Sequence, residues 1–521
     1  MRQKDLRILR IVISLFFFIS ISLLFIDFRG IIPSSFLKII LFFQFIPSLM
    51  KFVHVLSLAV AGFIFILVLN VLFGRVYCST VCPLGILQDI ISYLAKRIRR
   101  KKKYKYSEAH TILRYSFLVL PFLFLLFGST FLINILDPYS NFGRIFSDLV
   151  RPAAIGINNI FAALFEKINV FFLYPVDYKH FNFAATLFPI SVLGFILWIS
   201  FYHGRLFCNT VCPVGTLLGL FSKISVFKIK IDSLTCTKCA RCSVVCKASC
   251  IDVKNEIIDF SRCVACYNCI KSCPENSINY KFDNYKKLIA DEPSTNTEKR
   301  EFIGKSLIYI FGFIGLSKIA RSQTGDNSDG KLTPVIKKNH VSPPGSISLN
   351  HFKNNCTACH LCVTLCPTAV LQPSFLEFGF TGMMQPYMDY KTNYCNYECT
   401  ICGEVCPTGA ILPLAKEDKK LTQIGTVHFI IENCVVYTDN TACGSCSEHC
   451  PTQAVRMVPY IADLTIPEIH PSTCIGCGAC EYACPVKPHK AIYVDGHPIH
   501  QLAEKPHFEE LQIEDQEDFP F

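Results

Sequence analysis

The sequence CTKCARCSVVC, Cys236–Cys246, is followed after a short gap by CVACYNCIKSC, Cys263–Cys273. In each run three cysteines recur at every third position, and a fourth cysteine follows after three intervening residues. Thiolates at this spacing are typical ligands of [4Fe-4S] clusters, and the fourth cysteine of one run reaches the cluster of the other run. Structural zinc and disulfides are the alternatives, but neither requires this repeated spacing. The pattern predicts two clusters, one held by Cys236, Cys239, Cys242 and Cys273 and the other by Cys263, Cys266, Cys269 and Cys246.

Four further cysteine runs follow the first pair, and a proline comes after the fourth cysteine of each. This proline turns the chain away from the cluster and removes a competing N–H group. The crossover rule then predicts four more clusters, about six in all. Their ligand sets are Cys356, Cys359, Cys362 and Cys406; Cys395, Cys399, Cys402 and Cys366; Cys434, Cys443, Cys446 and Cys484; and Cys474, Cys477, Cys480 and Cys450.

One cysteine of the first pair departs from this rule. Cys246 is followed by Lys247 instead of proline, and Cys250 lies close behind it. The sequence therefore leaves open whether Cys250 replaces Cys246 as a ligand or is a spare thiol.

The composition indicates a membrane-associated, multidomain chain. Of 521 residues, 51% are hydrophobic and the mean hydropathy is +0.36, which is high for a wholly soluble protein. The 29 cysteines fall almost entirely in short repeated runs, which excludes a small secreted disulfide scaffold. The net charge is +11, yet residues 326–521 carry 12 Lys and Arg against 22 Asp and Glu. The basic residues flank apolar segments, as the positive-inside rule predicts for membrane helices. The positive charge is therefore explained by contact with membrane lipid, and a nucleic-acid partner is not expected.

Four apolar stretches predict helices that cross a membrane. The basic start of the chain places the N-terminus in the cytoplasm, and the Lys96–Lys105 block belongs on the same side. The apolar stretch Phe36–Met50 is short and contains a proline, so a re-entrant or interfacial segment is expected there. The predicted crossings are Ile11–Ile26, Val53–Phe73, Ile112–Leu136 and Ala184–Tyr202.

The motif GRxxCxxxCPxG occurs twice, at Gly74–Gly85 and Gly204–Gly215, and each copy closes a pair of predicted spans. This is an internal repeat of a two-helix unit. Its four cysteines would converge to bind a metal ion or a cluster, or to cycle as thiols. The alternative is that the glycines and prolines turn the chain while the cysteines are only packed. We favour a redox or cofactor-binding role for Cys78, Cys82, Cys208 and Cys212.

The segment Glu298–Gln323 has an apolar core too short for an ordinary span and the right size for an export signal. Lys299 and Arg300 stand where a twin-arginine signal has two arginines, and a short amphipathic helix is the alternative. The predicted fold class is a multi-pass α-helical membrane domain joined to α+β ferredoxin-like domains built on three pairs of cysteine runs. The expected boundaries are 1–220 for the membrane domain, 230–285 for the first ferredoxin domain, 286–350 for the linker, 351–415 and 425–500 for two further ferredoxin domains, and 501–521 for an acidic tail.

On these motifs the chain resembles a fusion of two families. Residues 1 to about 285 are similar to the NapH/MauN membrane ferredoxins, which share their membrane unit with the NosR and CcoG groups. From about residue 298 the chain is similar to the NapG/MauM ferredoxins. The resemblance implies a component of the cytoplasmic membrane that oxidises quinol and delivers electrons to a redox partner such as a nitrate reductase system. Residues after about 323 would then be periplasmic.

Quinol oxidation requires a proton acceptor, and ionisable residues in or near the membrane are candidates for one. The sequence shows no nucleotide-binding loop and no catalytic triad. An electron-transfer component is therefore expected instead of a stand-alone substrate enzyme. The competing function is redox sensing or maturation of a metal centre in another enzyme. The candidate proton acceptors and redox neighbours are His54, Asp137, Asp177, His180 and His203.

Overall fold

The computed structural model describes residues 5–55, 61–98, 104–176, 183–282 and 332–505. The Glu298–Gln323 segment, Asp177, His180, the His54 side chain and residues 506–521 lie outside the described residues. Contacts divide the chain into two units. The first unit comprises Met1–Asp329, His351–Pro386 and Ile401–Leu412, and the second comprises Gly330–Asn350, Tyr387–Thr400 and Pro413–Phe521.

Helices dominate residues 5–222 of the first unit. A π-helical turn, Phe146–Val150, interrupts them. In chain order the helices are α1 (Asp5–Ile26), α2 (Ser34–Phe42), α3 (Phe45–Val55), α4 (Gly62–Phe73), α5 (Tyr77–Thr80), α6 (Pro83–Ile98), α7 (Thr111–Leu126), α8 (Phe131–Leu136), α9 (Pro138–Ile145), α10 (Arg151–Glu166), α11 (Phe183–His203), α12 (Leu206–Thr210) and α13 (Pro213–Ser222).

Two of these helices are long and apolar enough to cross a membrane: α1 and the Ala184–His203 part of α11. Both coincide with predicted crossings. The Ile112–Leu136 crossing was predicted as one span, but the structure divides it into α7 and α8. Gly128 adopts a φ of +75°, and the N–H of Ser129 donates to Phe124 O at 2.8 Å, which is how a glycine ends a helix.

The other predicted membrane segments are shorter or bent. Helix α4 forms the last part of the predicted Val53–Phe73 crossing, and residues 56–60 lie outside the described residues. Helices α2 and α3 meet at a bend of 99°, where the sequence predicts a re-entrant segment. Among the described residues, this bent pair would add a third span if it crosses as one.

The first ferredoxin-like module, residues 227–282, is a small α+β fold. Strand β1 (Phe227–Ile231) pairs antiparallel with β4 (Ile278–Phe282), and β2 (Ile251–Asp252) pairs with β3 (Ile257–Ile258). Two short helices, α14 (Arg241–Val245) and α15 (Asn268–Ser272), pack on each other. Their buried core is built largely of cysteines, which is expected for residues arranged around clusters.

The rest of the described chain carries shorter elements around the other four cysteine runs. Strands β7 (Thr422–Phe429) and β10 (Ile492–Leu502) pair antiparallel, as do β8 (Val455–Pro459) and β9 (Thr465–Ile469). The helices are α16 (Leu349–Asn355), α17 (Leu361–Thr364), α18 (Ile401–Val405), α19 (Lys416–Leu421), α20 (Val435–Thr438), α21 (Ser445–Glu448) and α22 (Ala479–Ala483), and the strands are β5 (Leu371–Pro373), β6 (Pro386–Met388), β7 (Thr422–Phe429), β8 (Val455–Pro459), β9 (Thr465–Ile469) and β10 (Ile492–Leu502).

Within the first unit, helix α1 contacts a cysteine run at each of its ends. Near its start, Arg7 Nε donates to Asn268 Oδ1 at 2.9 Å, and Asn268 lies between two predicted cluster ligands. Helix α1 also packs on α17 of the Cys356–Cys366 run, and near the end of α1 the Phe25 ring packs on Phe142, whose neighbour Gly143 lies against the Cys359 carbonyl. The two cysteine-run modules of the first unit therefore lie at opposite ends of one helix.

Gly143 gives the first prediction. A Cβ atom at this position would overlap Cys359 O and the Phe25 ring, so Gly143→Ala should destabilise the first unit by about 1–3 kcal/mol through overpacking. Gly156→Ala is the matched control, because a Cβ at that helical position meets no atom within 4 Å. We expect thermal unfolding of the purified chain to show a lower midpoint for Gly143→Ala only. Equal midpoints for both variants would contradict this packing.

Candidate iron–sulfur centres

The four cysteine runs with regular spacing share an uncommon backbone conformation. In each run the residues on both sides of the middle cysteine have positive φ, between +48° and +77°. Such a conformation makes successive N–H groups converge, and backbone nests of this kind cradle iron–sulfur clusters. The N–H groups of Ala358 and Gly476 accordingly donate to Cys356 Sγ and Cys474 Sγ at 3.4 and 3.3 Å. The paired residues are Lys238 and Ala240, Ala265 and Tyr267, Ala358 and His360, and Gly476 and Gly478.

The crossover sets predicted from the sequence bring their thiols together at five places. Cys236, Cys239, Cys242 and Cys273 line one cavity, and Cys434, Cys443, Cys446 and Cys484 line another. In the remaining three sets, each third cysteine is buried and interacts electrostatically with cysteines of its own run and with the fourth cysteine of the partner run. These pairs are Cys269 with Cys246, Cys362 with Cys406, and Cys480 with Cys450.

The electrostatics of these thiols also point to cluster binding. Burial, and then the neighbouring thiols of Cys443 and Cys484, raises the pKa of Cys446 to about 12. Free thiols at such positions would stay protonated, whereas iron stabilises the thiolate form. The donor sets therefore fit [4Fe-4S] clusters, which supply one-electron transfer when bound. The sixth predicted set, Cys395, Cys399, Cys402 and Cys366, takes ligands from both units and stays a prediction.

Cys246 has the backbone geometry of a fourth ligand. The residue three positions after the fourth cysteine has positive φ in the runs that end at Cys273, Cys366, Cys406 and Cys450. Ser249 shows the same conformation after Cys246, with φ +51°, although Lys247 replaces the usual proline. Cys250 follows as a buried residue, with its Sγ 3.6 Å from Cys246 Sγ. This geometry favours Cys246 over Cys250 as the ligand.

The four cysteines of the GRxxCxxxCPxG repeats are buried in the helical part of the first unit. In both copies the glycine that starts the motif has positive φ and follows the end of a long apolar helix, so it turns the chain. Each CysPro pair then starts a new helix, α6 or α13, with proline at its first position. The expected turn therefore occurs in both copies. Cys82 and Cys212 each interact electrostatically with Cys78 and Cys208, so the four thiols lie near one another, and their role stays a prediction.

Charged residues that the sequence reasoning missed surround these cysteines. Asp89 is buried and contacts three cations: Arg205 Nε at 2.8 Å, Lys247 Nζ at 3.2 Å, and Arg10 through a short ion pair. Burial alone would raise the pKa of Asp89, but Arg205 and Lys247 outweigh burial and hold that pKa well below its usual range. Asp89 is thus a carboxylate in the folded protein. The arginines of the two repeats stand at matched positions, which is the signal that could have revealed them.

The predicted proton acceptors have different fates. Asp137 is buried and caps α9, where its carboxylate accepts the N–H groups of Tyr139 and Ser140 at 3.3 and 2.8 Å. Asp137 therefore has a structural role as a helix cap. His203 ends α11 and lies beside the rings of Trp198 and Tyr202.

A buried pair, Asp148 and His360, was missed. His360 Nδ1 lies 3.0 Å from Asp148 Oδ1, and His360 Nε2 lies 2.8 Å from Met384 O. Asp148 Oδ2 is buried, and among the described residues it has no hydrogen-bond partner. A cavity of about 370 Å³ lies beside this pair, and its walls include Asp148, Arg151 and the predicted ligand Cys366. Position 360 lies inside a cysteine run, which is the only signal the sequence carries for this pair.

Comparisons with known proteins agree with this geometry. A model of a 4Fe-4S binding domain matches residues 56–102 and 185–232, the two GRxxCxxxCPxG repeats. A 4Fe-4S dicluster domain matches 441–487, and a further 4Fe-4S binding domain matches 256–279. No solved structure matches this chain.

Curated relatives match parts of the chain. The ferredoxin-type protein NapF of Escherichia coli K12 is 29% identical over 170 residues, which is 32% of this chain and 95% of NapF. The methylamine utilization ferredoxin-type protein MauM of Methylophilus methylotrophus is 34% identical over 158 residues, 29% of this chain and 69% of MauM. The uncharacterized protein MJ0750 of Methanocaldococcus jannaschii is 27% identical over 229 residues, 43% of this chain and 79% of that protein.

The fold and the cysteine cradles define an iron–sulfur electron-transfer protein of the ferredoxin type that binds several [4Fe-4S] clusters. The chain belongs to the ferredoxin-type polyferredoxin family that includes MauM. The cofactor prediction is thereby confirmed for the clusters. The NapH/MauN-like identity of residues 1–285, the domain boundaries and the individual ligand assignments stay predictions.

The turn after Cys246 gives the second prediction. Cys246→Ser should remove one cluster, about four iron atoms per chain, because a hydroxyl is a poor substitute for a thiolate ligand of iron. Cys250→Ser is the matched control and should keep its full iron content. Iron and acid-labile sulfide, measured per chain after anaerobic purification, decide between them. Iron loss in Cys250→Ser with retention in Cys246→Ser would reverse the assignment.

Proposed function

We propose that this protein is a multi-pass membrane polyferredoxin that transfers electrons from quinol, across the cytoplasmic membrane, to a periplasmic redox partner. The observation that carries the proposal is the packing of two cysteine-run modules against opposite ends of α1. This helix has 22 residues and a length of about 33 Å, close to the hydrocarbon thickness of about 30 Å. A helix that crosses the membrane would thus present one module on each side.

The charge pattern supports an orientation. Basic residues cluster at the start of α1 and just before it in the sequence: Arg2, Lys4, Arg7 and Arg10. An acidic residue, Asp27, follows its end. By the positive-inside rule, the start of α1 and the module at 227–282 face the cytoplasm. The second cysteine-run module of the first unit, residues 351–386 and 401–412, then faces the periplasm. The export-like segment Glu298–Gln323 also suggests this side. The acidic residues 326–521 would favour a basic partner protein mainly by raising its association rate.

Topology is the third prediction. A reporter placed after Cys273 should be active as a cytoplasmic fluorescent fusion, and alkaline phosphatase placed after Phe521 should be active in the periplasm. The second result should require the twin-arginine translocase, because residues 298–323 resemble its signal. If both fusions report the cytoplasm, the transmembrane relay is overturned and the alternative of redox sensing or metal-centre maturation takes its place.

The cavity beside Asp148 is the place where we propose that quinol docks. Oxidation of quinol to quinone releases two electrons and two protons, so the site needs an electron acceptor and a base nearby. Cys366, a predicted cluster ligand, and Asp148 line the same cavity. The free oxygen of the Asp148 carboxylate, Oδ2, is placed to take one proton, while Oδ1 is held by His360. The second proton would leave to solvent, and the two electrons would pass one at a time to the cluster ligated by Cys366 and on to the other clusters. The walls of the cavity are mixed: Ile155, Val363 and Leu371 offer apolar contact for a quinol ring, and polar side chains such as Gln372 line the same space.

The fourth prediction tests this base. Asp148→Asn keeps the shape of the side chain but cannot take the proton, so reduction of the clusters by a quinol analogue should slow by about tenfold or more. Reduction by dithionite should be unchanged, because it bypasses the cavity. Glu166→Gln, at the far end of the neighbouring helix α10, is the control and should match the wild type. Equal quinol rates in the wild type and Asp148→Asn would remove Asp148 from the mechanism.

The acceptor is proposed at the level of its class. The resemblance to the NapG/MauM ferredoxins favours a periplasmic reductase system, and nitrate reductase is the first candidate to test. Electron delivery can be measured as re-oxidation of the dithionite-reduced protein by purified acceptor proteins. An unchanged re-oxidation rate with nitrate reductase, alongside a rapid rate with a different periplasmic protein, would replace this partner while keeping the relay.

A further inference from the structure

The two GRxxCxxxCPxG repeats are joined by reciprocal arginine contacts. Arg75 of the first repeat donates from Nη2 to Cys208 O of the second repeat at 3.1 Å. Arg205 of the second repeat donates from Nη1 to Cys78 O of the first repeat. Each repeat therefore supplies an arginine that holds the cysteine segment of the other, as in a two-fold symmetric pair.

These contacts place Cys78 and Cys208 in one small region, and Cys82 and Cys212 each interact electrostatically with both of them. Arg75 Nη2 lies 3.8 Å from Cys78 Sγ while it also donates to the Cys208 carbonyl. Cys208 Sγ in turn lies 3.6 Å from Gln88 Oε1, which belongs to the first repeat. All four cysteines are at most 4% exposed. This arrangement favours one shared site over two separate sites, one in each repeat.

The region carries an excess of buried positive charge. Arg75 is 0% exposed, and its contacts among the described residues are neutral: Asn209 Oδ1, Ser261 O, Cys208 O and Cys78 Sγ. Arg205, also 0% exposed, shares its single carboxylate, Asp89, with two other cations. Burying a charge without a counterion is costly, and four protonated thiols would supply none.

Buried hydrogen-bond donors in the same region also lack acceptors. Gln88 is 0% exposed, and its Nε2 has no hydrogen-bond partner in the described part of the chain. The same holds for Arg205 Nη2. In iron–sulfur proteins, N–H groups near the ligand thiolates stabilise the cluster by donating hydrogen bonds to its sulfur atoms.

We propose that Cys78, Cys82, Cys208 and Cys212 together bind one additional [4Fe-4S] cluster that is shared between the two repeats. Binding deprotonates the four thiols, and four thiolates on a cluster core of charge about +2 give a complex of charge about −2. This anion would offset the buried charge of Arg75 and the excess around Asp89. The family model matches each repeat separately, whereas the geometry assigns a single cluster to the pair, because each repeat provides only two of the four ligands.

The shared site would adjoin the first ferredoxin-like module. Arg205 N donates to Lys247 O at 3.0 Å, and Asn209 Nδ2 donates to Ala248 O at 3.3 Å. Lys247 and Ala248 directly follow Cys246, a predicted ligand of that module. The proposal adds a redox centre to the relay proposed above, but it depends only on how many clusters the chain binds.

The test is a count of iron and acid-labile sulfide in the full-length protein, purified anaerobically in detergent. We expect about 28 iron atoms per chain in the wild type and about 24 in the double variant Cys78→Ser, Cys208→Ser. Thr80→Ser lies between two of the cysteines in sequence and is the matched control, with about 28 expected. Electron paramagnetic resonance of the reduced proteins should show the loss of one spin system in the double variant alone.

Other outcomes overturn the proposal. A wild-type count of about 24 would mean that the four cysteines bind no cluster, and alkylation would then show whether they cycle as thiols. A count of about 32 would mean one cluster in each repeat. If the double variant fails to fold, the wild-type count and its number of spin systems still decide the question. None of these readings depends on quinol or on membrane orientation, so failure here is distinct from failure of the proposed relay.

Discussion

The carboxylate of Asp89 connects three separate parts of the first unit through ion pairs. It pairs with Arg10 of α1, with Arg205 of the second repeat and with Lys247 of the first ferredoxin-like module, while Asp89 itself belongs to the first repeat. Isolated charges at this depth would destabilise the fold, and their mutual contacts are what make the burial tolerable. Losing this single carboxylate would leave three cations together, so the helical core and the module depend on it jointly.

The cysteine cradles impose a second constraint, which is local strain. Residues such as Ala358 and His360 hold positive φ, a conformation that costs a non-glycine residue about 1 kcal/mol or more. Only Gly476 and Gly478 avoid this cost among the four regular runs. Backbone strain of this kind persists where surrounding interactions offset it. Ligation of a cluster by four thiolates is a strong stabilising interaction. Cluster binding and folding of these modules are therefore linked.

Sequence reasoning reached the clusters because their ligands are set by local spacing. The pairing of Cys269 with Cys246 and of Cys362 with Cys406 follows from the same rule, since the crossover is a property of the two-cluster fold. It did not reach Asp89, Gln88 or Asp148, because their partners are 79 to 212 residues away in the chain and no local pattern marks them. Asp137 was taken as a possible base from its position after a predicted span, but the same position makes it a helix cap. Gly128 ended a span that hydrophobicity alone would have continued.

The path from one end of α1 to the other explains why the centre of the helical region matters for electron transfer. Electron transfer slows steeply with distance, so two modules separated by the length of α1 need a redox group between them. The repeat cysteines lie close to the first ferredoxin-like module, because Arg205 N donates to Lys247 O. Towards the other module, burial and then the thiol of Cys82 raise the pKa of Tyr77, and burial and then Cys359 raise that of Tyr139. Asp137 also interacts electrostatically with both tyrosines. Because a [4Fe-4S] cluster needs four thiolates and each repeat supplies two, sharing the ligands would give the helical region one further redox centre beside the first ferredoxin-like module.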